Sequence, residues 1–224
     1  WLLNVRYRQK DREGLIPVGH IVAKDQLVLH PYKTPEMKLK NVTENYIPVI
    51  TPQVNDTNIR HWIVKGENFL IRFKRSTGYM DKYIVNGLDM IKDGAALTPN
   101  FWRAPTDNDY GAKLQLKYNA WKNPDIKLIS LKNNIVDNQA VISAEYEMKQ
   151  VSAKLYITYT INNQGAVQVN QKMITDKAAN VSNMFRFGMQ LVMPRSFENI
   201  SYYGRGPMEN YSNRNHCTDL GIYN

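Results

Sequence analysis

Apolar and polar residues alternate with period two along much of this chain. The clearest run is Val151 to Ile161: Val151, Ala153, Leu155, Ile157, Tyr159 and Ile161 fall on one face, and Ser152, Lys154, Tyr156, Thr158 and Thr160 on the other. That pattern predicts a strand with one side against a core. Phe69, Ile71 and Phe73 alternate with Leu70, Arg72 and Lys74 in the same way, and Leu3, Val5 and Tyr7 with Asn4, Arg6 and Arg8. Phe185, Phe187, Met189, Leu191 and Met193 extend the rule to a fourth stripe, read as core. Turn signals separate the runs at Ser76-Thr77-Gly78, at Asn86-Gly87 and at Asn162 to Gly165. Asn-Gly is the strongest of them, because both positions of a tight hairpin turn want positive φ. Ala112 to Asn123 breaks the alternation and predicts a short helix holding Trp121. Many strands joined by short polar turns predict an all-β fold, a large antiparallel sandwich.

Composition shifts divide the chain into three segments. Residues 1–30 read as two or three strands, too few for a sandwich of their own, and so as the tail of a small β domain. Residues 31–59 carry Pro31, Pro35, Pro48 and Pro52, and read as an extended linker with at most one edge strand. Residues 60–224 are β-patterned throughout. The chain opens at Trp1 in an apolar run without a charged leader, and reads as an interior piece of a longer protein.

The 224 residues are enough to bury a core, and 43% hydrophobic content marks a globular chain. No apolar run approaches the length of a membrane helix, so no membrane partner is expected. The net charge is +9, but the Lys and Arg residues are scattered; the densest clusters, Arg6 to Arg12 and Arg72 to Arg75, are short and sit on or beside strands. That distribution reads as a solvated face, not as a nucleic-acid surface. Cys217 is the single cysteine, which excludes an internal disulfide and a cysteine zinc cluster. It fits a reducing cytoplasm and equally a periplasmic protein that avoids disulfides. His20, His30, His61 and His216 form no ligand pair by spacing.

Two loops carry the candidate chemistry. Asn100 to Gly111 places Phe101 and Trp102 before Arg103, a Pro, and the polar run Asp107, Asn108 and Asp109. Near the end of the chain, Tyr203, Arg205, Glu209 and Asn210 lie around Gly204, Gly206 and Pro207. Aromatics that pin a loop beside clustered hydrogen-bonding groups suit a binding surface. They also suit a turn that caps its own backbone. The complementary charges predict that the loops meet, with Arg103 against Glu209 and Arg205 against Asp107 or Asp109.

Arg103-Ala104-Pro105-Thr106-Asp107-Asn108-Asp109-Tyr110-Gly111 and Tyr203-Gly204-Arg205-Gly206-Pro207-Met208-Glu209-Asn210-Tyr211 closely resemble two signatures of the C-terminal small-chain domain of large bacterial β-galactosidases, in glycoside hydrolase family 2. Gly19 to Gln26 resembles the end of the immunoglobulin-like domain that precedes it, Arg72 to Gly78 the first hairpin of the small-chain domain, and Asn119-Ala120-Trp121 also fits. The resemblance implies a galactose-mutarotase-like β-supersandwich over residues 60–224, after the end of an immunoglobulin-like domain over 1–30. It implies that the parent hydrolyses terminal β-galactosides with two Glu residues on a separate (β/α)₈ barrel, by the retaining mechanism. No catalytic residue carries over to this chain. The family's Mg and Na ions belong to the barrel, so no cofactor is expected here. Implied partners are that barrel, the other domains of the parent, its galactoside substrate and a further subunit. Ser212-Asn213-Arg214 departs from the family's Pro-Asp-Arg, which removes a carboxylate from beside Arg214.

The leading reading is therefore a non-catalytic piece of a β-galactosidase that buttresses the barrel and shapes a carbohydrate or subunit contact. The alternative is a carbohydrate-binding module with its own galactose-type site. There Trp102, Trp121, Tyr203 or Tyr211 would stack on a sugar, and Arg103, Asp107, Asn108, Asp109, Arg205, Glu209 and Asn210 would hold its hydroxyls. A mutarotase-like enzyme would need a His and a carboxylate converging on a sugar, and the histidine spacing does not suggest one.

Overall fold

Strand pairing dominates the chain. The computed structural model describes residues 1–33, 39–41, 46–55, 58–176 and 178–224. In chain order the strands begin with β1 (Leu2–Arg8) and β2 (Ile21–Val28), followed by β3 (Val49–Asn55), β4 (Asn58–Lys65), β5 (Phe69–Lys74), β6 (Met80–Val85), β7 (Leu88–Asp89) and β8 (Thr98–Asn100). Two short helices, α1 (Asp107–Gly111) and α2 (Leu114–Lys117), and a 3₁₀ turn over Asn119–Trp121 come next. Then follow β9 (Lys127–Val136), β10 (Gln139–Met148), β11 (Ala153–Ile161), β12 (Val167–Thr175), β13 (Gly188–Gln190), β14 (Tyr202–Gly206) and β15 (Asp219–Tyr223). The pairing is antiparallel throughout these strands, as an all-β antiparallel fold requires.

The chain forms two compact units, Lys38–Ser196 and the pair of segments Trp1–Met37 with Phe197–Asn224. In the larger unit a sheet of order β3-β4-β5-β6-β7 and a sheet of order β12-β11-β10-β9 supply the core. Val64, Ile71 and Phe73 of the first and Ile142, Leu155 and Tyr159 of the second are fully buried. Phe73 and Tyr159 meet edge to face with ring centroids 4.9 Å apart. A buried side chain of this kind contributes roughly 1.5–3 kcal/mol through removal from water, so the alternation is what drives the strands together. β10 and β11 show it without a break: every second residue from Ala140 to Met148 and from Ala153 to Ile161 is buried.

Turn chemistry fixes the register. Asn86 and Gly87 take φ of 49° and 80° and close the β6–β7 hairpin, as the dipeptide predicts. The Tyr146 hydroxyl donates to the Thr77 carbonyl at 2.9 Å and ties the second sheet to the Ser76–Gly78 turn of the first. Pro52 sits in β3, an edge strand, where its missing N–H costs no ladder bond. The linker expected over 31–59 thus contributes one edge strand. Leu39 and Lys40 are strapped down by side-chain amides, Gln139 Nε2 donating to the Leu39 carbonyl at 2.8 Å and Asn162 Nδ2 to that of Lys40 at 2.9 Å. Pro35 lies outside the described residues. The short helix expected before Asn123 appears as α2 and the 3₁₀ turn, with Trp121 buried.

In the smaller unit β1 pairs with β2, and β14 with β15. The Gln26 side chain joins the two ribbons, donating to the Leu220 carbonyl at 2.9 Å and accepting from the Leu220 amide at 2.8 Å; Lys24 and Asp219 pair at 2.9 Å.

One expectation needs correction. The stripe from Phe185 to Met193 is a strand only over Gly188–Gln190, because its partner β8 offers three residues to pair with. Phe187, Leu191 and Met193 remain 39–48% exposed and are not core. Separately, β14 and β15 group with the N-terminal segment in one compact unit. Alternation reports that one face of a strand is apolar, not which neighbour covers it.

Candidate functional site

The first loop leaves β8 at Asn100, whose side-chain oxygen accepts from the Trp102 amide at 2.9 Å and turns the chain. That turn sends Phe101 inward against Trp121, with centroids 5.7 Å apart. It sends Trp102 to a half-buried position, edge-on to Phe185 at 4.8 Å. The Arg103 guanidinium lies over the same Phe185 ring, 4.6 Å from its centroid. Phe185 is therefore the platform of this loop, a role its place in an alternating stripe concealed.

Arg103 reaches Asp109 as a two-pronged fork, Nη1 to Oδ2 at 2.5 Å and Nη2 to Oδ1 at 3.2 Å. Asp109 Oδ2 also accepts the Thr106 amide at 2.7 Å and the Thr106 hydroxyl at 3.1 Å, while Thr106 Oγ1 accepts the Asp109 amide. This reciprocal pair is a capping box, and it starts α1. The Arg103 hydrogen bond, and after it the Thr106 backbone N–H, hold the Asp109 carboxyl down to about 2. Asp109 is thus an ionised strut, with Oδ2 taken up inside its own loop. Asp107 and Asn108, on the exposed side of α1, are open to solvent.

The second loop is braced in its own way. Tyr202 and Tyr223 stack across β14 and β15 with centroids 5.5 Å apart. Between them Gly206 is buried so tightly that a Cβ there would lie 2.5 Å from the Tyr202 hydroxyl. Arg205 donates to the carbonyls of Asn215 and Thr218, both at 3.1 Å, and so holds the 3₁₀ segment Ser212–Cys217. Glu209 pairs with Arg214 at 2.5 Å. With Asn213 uncharged, Arg214 finds its carboxylate at Glu209. Tyr203 is 62% exposed, and Asn210 is exposed beyond it in sequence.

These partners differ from those the complementary charges predicted. Arg103 takes Asp109, Glu209 takes Arg214, and Arg205 takes backbone carbonyls. Trp121 is spent in the core, its indole N–H donating to the Ser182 carbonyl at 2.8 Å, and it offers no face for stacking. Among the described residues no three His, Cys, Asp or Glu side chains group as metal ligands, and no helix is long and apolar enough to cross a membrane.

The sheets and their braced loops define an all-β antiparallel protein that carries its polar motifs at strand ends. Its family follows from comparison: the family model described as "Beta galactosidase small chain" matches residues 65–224, and the chain belongs to that family. Among curated relatives, a β-galactosidase of Priestia megaterium is 30% identical over all of this chain and 21% of its own length. One from Staphylococcus xylosus is 26% identical over 97% of this chain and 21% of its own. One from Streptococcus thermophilus is 28% identical over 92% of this chain and 19% of its own. The chain spans about a fifth of the length of these relatives.

Proposed function

We propose that this chain is a non-catalytic part of a β-galactosidase, which supports the enzyme's catalytic barrel and presents polar loops to a neighbouring domain or to carbohydrate. The observation that carries the reading is the end-to-end match of the chain to one fifth of a protein named β-galactosidase. The loop chemistry is consistent with support. Asp109 is held ionised by Arg103, and a carboxyl held near 2 cannot serve as the acid that glycoside hydrolysis needs near neutral pH. Glu209 is exposed and paired with Arg214.

The apolar surface agrees. Trp1, Leu15, Tyr32, Ile200 and Ile222 are each at least 70% exposed, and in this reading other domains of the parent cover them. Residues 1–30 would then close an immunoglobulin-like domain, and the family match would begin the supersandwich. The groups available for contact are Trp102, Asp107 and Asn108 in the first loop, and Tyr203 and Asn210 in the second. A sugar site confined to this chain is the second reading; the exposure of Tyr203 favours it.

The test is turnover by the reading frame that encodes this chain. The intact product should hydrolyse a chromogenic β-galactoside, and deletion of residues 1–224 of the present numbering should abolish it. An intact product with no β-galactosidase activity would refute the proposal.

A further inference from the structure

The basic cluster from Arg72 to Arg75 plays no part in either loop. In the structure it meets a second basic pair across the sheet. His61 of β4 is the register partner of Lys74 of β5, and the Arg75 amide donates to the Arg60 carbonyl at 2.9 Å. Arg60, His61, Lys74, Arg75, Ser76 and Asp81 line an open cleft of about 490 Å³ at this corner of the sheet.

Among the described residues its charges are poorly balanced. Asp81 faces them from β6, but it already takes the Arg72 fork, at 2.9 Å and 3.2 Å, and stands 3.6 Å from His61 Nε2. Arg75 is held in place: it donates to the Ile59 carbonyl at 3.1 Å, and its guanidinium lies 5.5 Å from the centroid of the Trp62 ring. Among the described residues Arg60 and Lys74 have no carboxylate partner. Burial lowers the His61 pKa; Asp81 opposes this, and Arg72, Lys74 and Arg60 add to it. The imidazole is neutral at pH 7 and can donate from one nitrogen. Basic groups gathered at one corner of a sheet repel each other and cost stability. An anion in the cleft would relieve that cost.

We propose that this cleft binds a small tetrahedral oxyanion, a phosphate or sulfate group, either free or carried on a sugar. Arg75 is a preorganised fork for such a group, which a guanidinium matches geometrically. Lys74 and Arg60 add charge from the two strands, and Ser76 and His61 offer neutral hydrogen bonds.

The test is an NMR titration of the chain with inorganic phosphate at pH 7, with ionic strength held constant by chloride. The amides of Arg75 and Ser76 and the His61 ring should shift and saturate together, and the His61 pKa should rise when phosphate is bound. Lys74→Gln and Arg60→Gln, both at exposed positions, should each weaken binding by about three- to tenfold, while the urea midpoint stays the same or rises slightly as repulsion is relieved. Glucose 6-phosphate serves as the second probe. Tighter binding than phosphate assigns the site to a phosphorylated sugar, and equal binding to the free oxyanion; either result supports the cleft. Shifts that never saturate, that spread evenly over other lysine-bearing strands, or that persist unchanged in both variants would overturn it.

Discussion

Replacement of Gly78 by Ala should damage the larger unit far more than the same change at Gly87, although both glycines have positive φ. Gly87 has φ of 80°, and a Cβ added there would meet nothing within 4 Å, so Gly87→Ala meets only the left-handed backbone penalty. That penalty is about 1–2 kcal/mol, partly offset by the loss of unfolded-state freedom. Gly78 has φ of 71°, and a Cβ there would lie 2.6 Å from the Tyr146 hydroxyl, 3.1 Å from Leu128 Cδ1 and 3.2 Å from Ala144 Cβ. Tyr146 is 1% exposed and cannot swing to solvent. It must give up its 2.9 Å bond to the Thr77 carbonyl, which leaves buried polar groups unpaired at a cost of roughly 1–3 kcal/mol. Gly78→Ala should therefore exceed Gly87→Ala by about 2 kcal/mol, or about 1 M in urea midpoint for a slope near 2 kcal/mol/M. Trp62, Trp102 and Trp121 lie in the larger unit, so tryptophan fluorescence follows its unfolding. In a Tyr146→Phe background the clash loses its hydroxyl, and Gly78→Ala should cost less. Equal midpoint losses at the two glycines, or strict additivity with Tyr146→Phe, would refute the reasoning.

The Asp109 carboxyl should titrate near 2 by carbon-detected NMR. Because its folded pKa is depressed, the stability it adds is fully present above its ordinary value of 3.8 and is lost as pH falls through about 2; a midpoint near 4 would show that the Arg103 fork does not form. Leu155→Ala removes a fully buried side chain from the face between the sheets and should cost about 2–5 kcal/mol in urea unfolding; a loss under 1 kcal/mol would mean that this face is not packed as described.

Where alternation and turn chemistry act together, the fold could be read from the residues. Ala153 to Ile161 points its apolar residues inward as the pattern requires, Asn86-Gly87 closes its hairpin, and Pro52 stays at an edge. Phe185 to Met193 has the same alternation but not the same structure. A strand also needs a neighbour of matching length, and that property belongs to distant sequence. The braced loop was partly legible. Thr106-Asp107-Asn108-Asp109 has the Thr-x-x-acid spacing of a capping box, and the polar run suits a turn that caps its own backbone. Which carboxylate Arg103 would take was not legible. The choice depends on the turn at Asn100 and on the Phe185 ring that seats the guanidinium. Alternation reads straight past a five-residue helix such as α1.

The most direct test of the account is hydrolysis by the purified chain alone. Retaining glycosidases need two carboxyl groups about 5–5.5 Å apart across the scissile bond, one of them protonated near neutral pH. Asp109 is held ionised by Arg103, and Glu209 is paired with Arg214. The chain, assayed at pH 7 with a chromogenic β-galactoside, should release chromophore at the rate of buffer. Turnover above that rate, abolished by Asp109→Asn or by Glu209→Gln, would contradict the reading of this chain as a supporting part.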